Sequence, residues 1–361
     1  MNKRKGNKGE WSEVYAFLRI LADGRIYGAD SDANKREDVF YDVLKVLRDE
    51  DKNTLEYILS EDGKHVSVVK NGSEVLSIER SRLSDESDRL LNTIKTSKGS
   101  FRAEDTLQFL SEIERFNIKS PSGKKQDIVI QIHDARTGME PQLGFSIKSM
   151  LGSSSTLLNA SQATNFIFEV YDKNNGRGSE PIIPPGSSKH LKEWCAKMEK
   201  SGMEFRFEET ASRTFGENLS LIDVKLPEIV AEMLKLHYIE GVSGISEQVK
   251  TLHEKDPLNI ETHNGISAYE YKIKKLLAAV ALGMRPATPW NGIEDASGGY
   301  IIVKKNGEVL CYHIYNRNDF EEYLFTHTKL ETSSTTKHNY AEFSVEDSKN
   351  TVKLNLQIRF K

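Results

Sequence analysis

Asp127 and Lys148 are the residues of this chain whose types and spacing point most directly to chemistry. Asp127 opens the run Ile128-Val-Ile-Gln-Ile-His133, where Ile128, Ile130 and Ile132 alternate with Val129, Gln131 and His133. Lys148 ends Leu143-Gly-Phe-Ser-Ile-Lys148, where Phe145 and Ile147 alternate with Ser146 and Lys148. Alternation with a period of two marks β-strands, and Asp134-Ala-Arg-Thr-Gly138 supplies the turn between them. Such a hairpin brings a carboxylate and an ammonium to one end of a sheet, with room between them for a divalent cation and a scissile phosphate. The carboxylate would hold the cation. The ammonium would stabilise charge on the phosphate and orient or deprotonate the attacking water. On spacing alone a strand-opening Asp is a turn or cap residue more often than a ligand. Lys148 shifts the balance, because a lysine in an apolar strand needs a partner.

The elements that position these groups are legible as periodicities. From Glu10 to Ala22 the residues Trp11, Val14, Tyr15, Leu18 and Leu21 follow helical spacing. A second helix is predicted over Asp38 to Arg48. Short strands follow around Tyr57, His65 to Val69 and Val75 to Ile78, with turns at Asp62-Gly63 and Asn71-Gly72. Helices are predicted at Ser84 to Lys95 and Glu104 to Phe116, before the hairpin. Beyond it come a strand at Asn165 to Val170, a linker-like stretch over Lys173 to Ser179 and Pro181 to Gly186, a helix at His190 to Lys200 and a strand at Glu204 to Phe207. Several helices lie between Pro227 and Met284, and β structure returns at Tyr300 to Lys304, Val309 to Tyr315 and Val352 to Phe360.

Two segments without acidic residues carry donors suited to DNA: Gly152 to Asn165, and Thr332 to Tyr340 with Lys337 and His338. Both also have ordinary loop composition. His133 reads as a satisfied, partly buried histidine, Asp134 as a turn former, and Arg359 as a candidate partner for an acid beside its strand. Hydrophobic residues at 37% and charged residues at 29% fit a folded globular chain. The net charge of −4 excludes a protein that coats nucleic acid indiscriminately, but not one with a local basic surface and an acidic metal site. No apolar run reaches a membrane span. Met1-Asn-Lys-Arg-Lys5 leads into an amphipathic helix and not a signal core, so a cytoplasmic location is expected. Cys195 and Cys311 are too few for a disulfide framework or a cysteine zinc site.

The hairpin resembles that of the PD-(D/E)XK nuclease superfamily, in which an Asp begins one strand and a (D/E)-x-K triplet lies on the next. Here the triplet reads Ser146-Ile147-Lys148, a neutral hydroxyl standing where a second carboxylate is usual. With Asn7-Lys-Gly-Glu-Trp-Ser-Glu13, Gly144-Phe-Ser-Ile-Lys-Ser149 and Leu354-Asn-Leu-Gln-Ile-Arg-Phe360, the chain is similar to the HpaII family of type II restriction endonucleases. The resemblance implies a mixed α+β fold, with a PD-(D/E)XK core and added helical and β segments that read DNA. A division into 1–120, 121–225 and 226–361 is expected, with one compact unit as the alternative. The resemblance also implies Mg²⁺-dependent cleavage of double-stranded DNA at a short palindromic GC-containing site, CCGG or related. An active homodimer is expected, and a cognate methyltransferase encoded nearby that is not a physical partner.

Lys8-Gly9 followed by Glu13 resembles a superfamily pattern in which a helix-borne Glu approaches the metal. That makes Glu13 a catalytic residue and metal ligand beside Asp127, with Glu10 the alternative and an exposed helix-terminal acid the plainer reading. Gln142 could add an oxygen or serve as a turn residue. Ser146, Ser149, Asn159, Gln162, Asn165, Ser334, Lys337 and His338 are the DNA-binding candidates. The rival readings are a structure-specific or repair nuclease and a sequence-specific DNA-binding protein whose catalytic centre has decayed.

Overall fold

The computed structural model describes residues 5–50, 53–115, 117–118, 126–172, 188–261, 264–341, 343–346 and 349–361. The linker-like stretch from Lys173 to Gly186 and residue Phe116 lie outside them. In chain order the first elements are α1 (Lys8–Asp23), β1 (Arg25–Ala29), β2 (Lys35–Glu50), β3 (Asn53–Leu59), β4 (His65–Lys70), β5 (Ser73–Glu79), α2 (Arg80–Thr96), α3 (Glu104–Glu112), β6 (Ile128–His133) and β7 (Gln142–Ser149). Next come β8 (Thr156–Leu158), β9 (Asn165–Asp172), α4 (Ser188–Lys200), β10 (Met203–Thr210), α5 (Arg213–Ile222), α6 (Leu226–Lys235), α7 (Ile245–Lys255) and α8 (Ala268–Leu282). The chain ends with β11 (Gly299–Val303), β12 (Val309–His313), α9 (Arg317–His327), β13 (Thr328–Leu330), α10 (Thr335–His338), β14 (Phe343–Glu346), β15 (Lys349–Asn355) and β16 (Ile358–Phe360). The fold is mixed α and β. Contacts divide it into two units, Met1–Ser155 with Glu294–Tyr323, and Thr156–Ile293 with Leu324–Lys361.

The first unit is built on one sheet with strand order β1-β12-β11-β7-β6-β2-β3-β4-β5. β6 and β7 pair antiparallel, as the alternation predicts, with Ile128 opposite Phe145. β7 also pairs in parallel with β11, Tyr300 lying beside Ser146 and Ile302 beside Lys148. On one face Phe145, Ile147, Ile130 and Ile132 join a core with Trp11, Val14, Tyr15, Leu18 and Leu21 of α1. Burying a side chain of this size stabilises by roughly 1.5–3 kcal/mol. β11 begins at Gly299, whose φ is +109°; a Cβ there would stand 2.0 Å from the Tyr312 carbonyl oxygen, so only glycine fits.

The stretch from Asp38 to Arg48 is a strand, not the predicted helix. Val39, Tyr41, Val43 and Val46 are buried, and the ladder with β6 shifts register between Val43 and Lys45. That bulge reverses the alternation, so Val43 and Val46 acquire the three-residue spacing that reads as helical in sequence. The β-branched and aromatic content agrees with the strand. The helix predicted to Phe116 closes earlier, at Glu112.

The second unit holds a four-stranded sheet, β10-β9-β15-β14, and a three-stranded one, β13-β16-β8. The single C-terminal strand predicted from Val352 to Phe360 is two strands, β15 and β16, in different sheets. Arg359 on β16 pairs with Glu331 at 2.9 Å. Helix α8 buries Leu276, Leu277, Val280 and Leu282, as its Ala and Leu content predicts. No described helix is long and apolar enough to cross a membrane.

Candidate active site

Asp127 lies one residue before β6, where its N–H donates to the Phe145 carbonyl at 2.7 Å. Its carboxylate reaches across to β7. Oδ2 accepts from the Ile147 N–H at 2.7 Å and from the Ser146 hydroxyl at 3.1 Å. In β7, Gly144 packs closely on Gln126, where an added Cβ would stand 3.0 Å from the Gln126 Cβ. Ser146 is buried and spends its hydroxyl on Asp127, so it acts as a brace for that carboxylate.

α1 delivers the second acid. Asn7 caps the helix by accepting from the Glu10 N–H, while Glu10 Oε2 accepts from the Asn7 N–H at 2.9 Å, a reciprocal capping box. Glu10 is thereby committed to the helix end. Glu13, on the next turn, is half-buried and its carboxyl is pushed up to about 8. Burial is the main cause and the charge of Asp127 adds to it; Arg115, Lys148 and Arg48 oppose it. Glu13, Asp127 and Lys148 therefore share one electrostatic neighbourhood. α1 is also pinned to β7 by a 2.8 Å hydrogen bond between the hydroxyls of Ser12 and Ser149.

Three further residues of this neighbourhood do not stand out in the sequence. Arg115 is buried, with its guanidinium 4.2 Å above the Phe17 ring. Arg48, on β2, donates to the Asn117 carbonyl at 2.9 Å. Tyr300 is buried in β11 directly beside Ser146 of β7, and the Lys148 ammonium lies 5.9 Å from its ring centre. The one sequence signal for Tyr300 is a phenol in an otherwise apolar strand.

Gln142 is not brought to this cluster. It is exposed at the far end of β7, opposite Gln131 and four residues, roughly 13 Å of strand, from Ser146. His133 is half-buried with its ring 3.4 Å from the Glu140 carboxylate, and Asp134 shapes the turn by accepting from Arg136 and Thr137. Among the described residues no group of three or more His, Cys, Asp or Glu is placed to cage a metal ion. Mg²⁺ needs no such cage. It is commonly held by one or two carboxylates, completed by waters and substrate phosphate oxygens, so the pair Asp127 and Glu13 fits it.

The remaining candidates belong to the second unit. Asn159 and Gln162 are exposed, as are Ser334 and Lys337. Ser334 caps α10 by accepting from the Lys337 N–H at 3.4 Å. His338 is half-buried. Asn165 is buried at 2% exposure, and its amide N–H groups donate to the carbonyls of His338 and Asn339 at 3.0 and 3.1 Å. It is therefore withdrawn from direct contact with a base edge, because its polar groups are satisfied inside the protein.

Comparison with known sequences matches residues 7–360 to the HpaII restriction endonuclease family. The type II restriction enzyme HpaII of Haemophilus parainfluenzae is 40% identical over 357 residues, covering 98% of each chain. No solved structure matches.

Proposed function

This chain belongs to the HpaII restriction endonuclease family and is therefore a type II site-specific endodeoxyribonuclease, and we propose that it cuts by Mg²⁺-dependent hydrolysis at Asp127, Glu13 and Lys148. The observation that carries this reading is the electrostatic neighbourhood that Asp127, just before β6 and bonded to Ser146 of β7, shares with Glu13 of α1 and Lys148 of β7. Asp127 and Glu13 would hold the cation, which would supply charge neutralisation on the scissile phosphate and a lowered pKa for the attacking water. Ser146 fixes one oxygen of Asp127, so that carboxylate is set before substrate arrives. Lys148 contributes a positive charge where negative charge grows on the phosphate in the transition state. Arg115 and Arg48 offset the repulsion between the two acids and favour the ionised form of Glu13. In this reading the core is a PD-(D/E)XK variant whose second acid comes from a helix instead of the triplet.

The segments around Asn159 to Gln162 and Ser334 to His338 would read double-stranded DNA in the second unit. Both are free of carboxylates, which suits a polyanion. A short palindromic GC-containing site such as CCGG is the expected target. Cutting both strands of a palindrome is met most simply by a two-fold dimer. The deciding experiment is a plasmid digest with Mg²⁺ and mapping of the cut ends. Discrete fragments with one common end sequence support the reading, whereas specific binding with no cleavage in Mg²⁺ or Mn²⁺ would overturn it in favour of a decayed centre.

A further inference from the structure

The ending Leu354-Asn-Leu-Gln-Ile-Arg-Phe360 has no part in the catalytic cluster, yet its Asn355 is buried at 1% exposure and fully engaged. Asn355 closes β15 directly opposite Asn165 at the start of β9. Its amide N–H groups reach the Ser161 carbonyl at 2.8 Å, the Thr164 hydroxyl at 3.0 Å and the Asn165 side-chain oxygen at 2.7 Å. Its own side-chain oxygen accepts from the Ser333 hydroxyl at 3.0 Å. Asn165 carries the chain of bonds onward to the carbonyls of His338 and Asn339, and the Tyr340 hydroxyl returns to the Ser333 carbonyl at 2.5 Å. Two segments far apart in sequence are thus tied to each other through one pair of amides.

From this network we infer that Asn355 is a specificity-positioning residue: with Asn165 it holds the 159–164 and 333–339 segments as one rigid edge that presents Asn159, Gln162, Lys337 and Asn339 to the base edges of duplex DNA. The inference rests on the reading that these segments contact DNA. All four side chains are exposed, and neither Thr156 to Phe168 nor Thr332 to Tyr340 contains an acid. Amide and ammonium donors match the N7 and O6 acceptors of guanine, and amide oxygens match the cytosine amino group. Hydrogen bonds to bases discriminate only if the donors cannot drift. A buried and fully satisfied amide pair supplies that constraint.

The test uses the full-length protein without Mg²⁺ and duplexes carrying the sequence the wild-type enzyme cuts, alongside duplexes with one base pair changed. Asn355→Ser should reduce discrimination between them by roughly tenfold or more, at the same base pairs where Asn159→Ala, Gln162→Ala or Asn339→Gly reduces it. If the surface variants change preference while Asn355→Ser weakens every duplex by one common factor, or none, Asn355 is only a core residue and the inference falls. If the surface variants leave every preference intact, the DNA-contact reading itself fails and the inference with it. Should circular dichroism show that Asn355→Ser does not fold, Ser333→Ala, which removes one donor to Asn355, is read against the same outcomes.

Discussion

A single oxygen of Asp127 accepts two hydrogen bonds from β7, and this fixes what its loss should do. Asp127→Ala and Lys148→Ala should each lower cleavage at least about a hundredfold while circular dichroism and binding to the cut sequence stay near wild type. Cleavage at wild-type rate by either variant would remove it from the mechanism. Glu13 carries a second and opposite consequence. Its carboxyl, raised to about 8 by burial and by Asp127, keeps in the folded protein a proton that the unfolded chain has released. The stability from that proton is complete below the ordinary carboxylate range and is lost as pH rises to about 8. Glu13→Gln does not titrate there. In EDTA its stability relative to wild type should therefore grow between pH 5 and pH 8, by up to about 1.4 kcal/mol per pH unit, while its Mg²⁺-dependent cleavage is severely impaired. A difference that stays flat across that range in urea titrations would show that Glu13 is not held in a destabilising place.

At the scale of elements, the parallel pairing of β7 with β11 seats Tyr300 beside Ser146, and Gly299 is what lets β11 start there. Gly299→Ala forces a non-glycine residue to a φ of +109° and a Cβ into the Tyr312 carbonyl. Strain alone should cost about 1–3 kcal/mol, read by chemical denaturation, and cleavage should fall with it; unchanged stability would mean the strand entry is not constrained. Asp127, Lys148 and their hairpin were legible because alternation, turn and pairing all lie within one short stretch. Glu13 and Glu10 stood as rivals in the sequence, and the rivalry hid a plain signal, the Asn7-x-x-Glu10 capping box that commits Glu10 to the helix end. β2 was misread as a helix because its bulge imitates helical spacing. Tyr300, Arg115 and Arg48 were out of reach of the sequence, since their place beside the acids depends on strand pairing or loop packing and not on local periodicity. Asn165 was named on the family resemblance, and its amide N–H groups are spent inside the protein.

Across the whole molecule each unit contains a buried histidine that resists protonation. His313 in the first is lowered to about 4, chiefly by burial, and His237 in the second to about 3, by burial and then by the charge of Lys192. Below pH 6.5 the unfolded chain takes up protons that these rings refuse, so stability is retained above that value and falls beneath it. The slope should be about 1.4 kcal/mol per pH unit for each ring. Urea titrations between pH 7 and pH 5 check it: a His313→Asn variant with an undiminished slope would assign the acid sensitivity elsewhere. The order of strands has one more consequence, for the cell that makes this enzyme. β7 and β11 are neighbours in the sheet, but the chain from Met150 to Gly298 is synthesised between them. A ribosome that has already emitted Asp127 and Lys148 has not yet supplied the strand that flanks them. An unfinished chain thus carries Asp127 and Lys148, the proposed catalytic residues, with β1 to β7 made but β11 and β12 still to come, and Tyr300 can take its place beside Ser146 only after the second unit's long insertion has been synthesised.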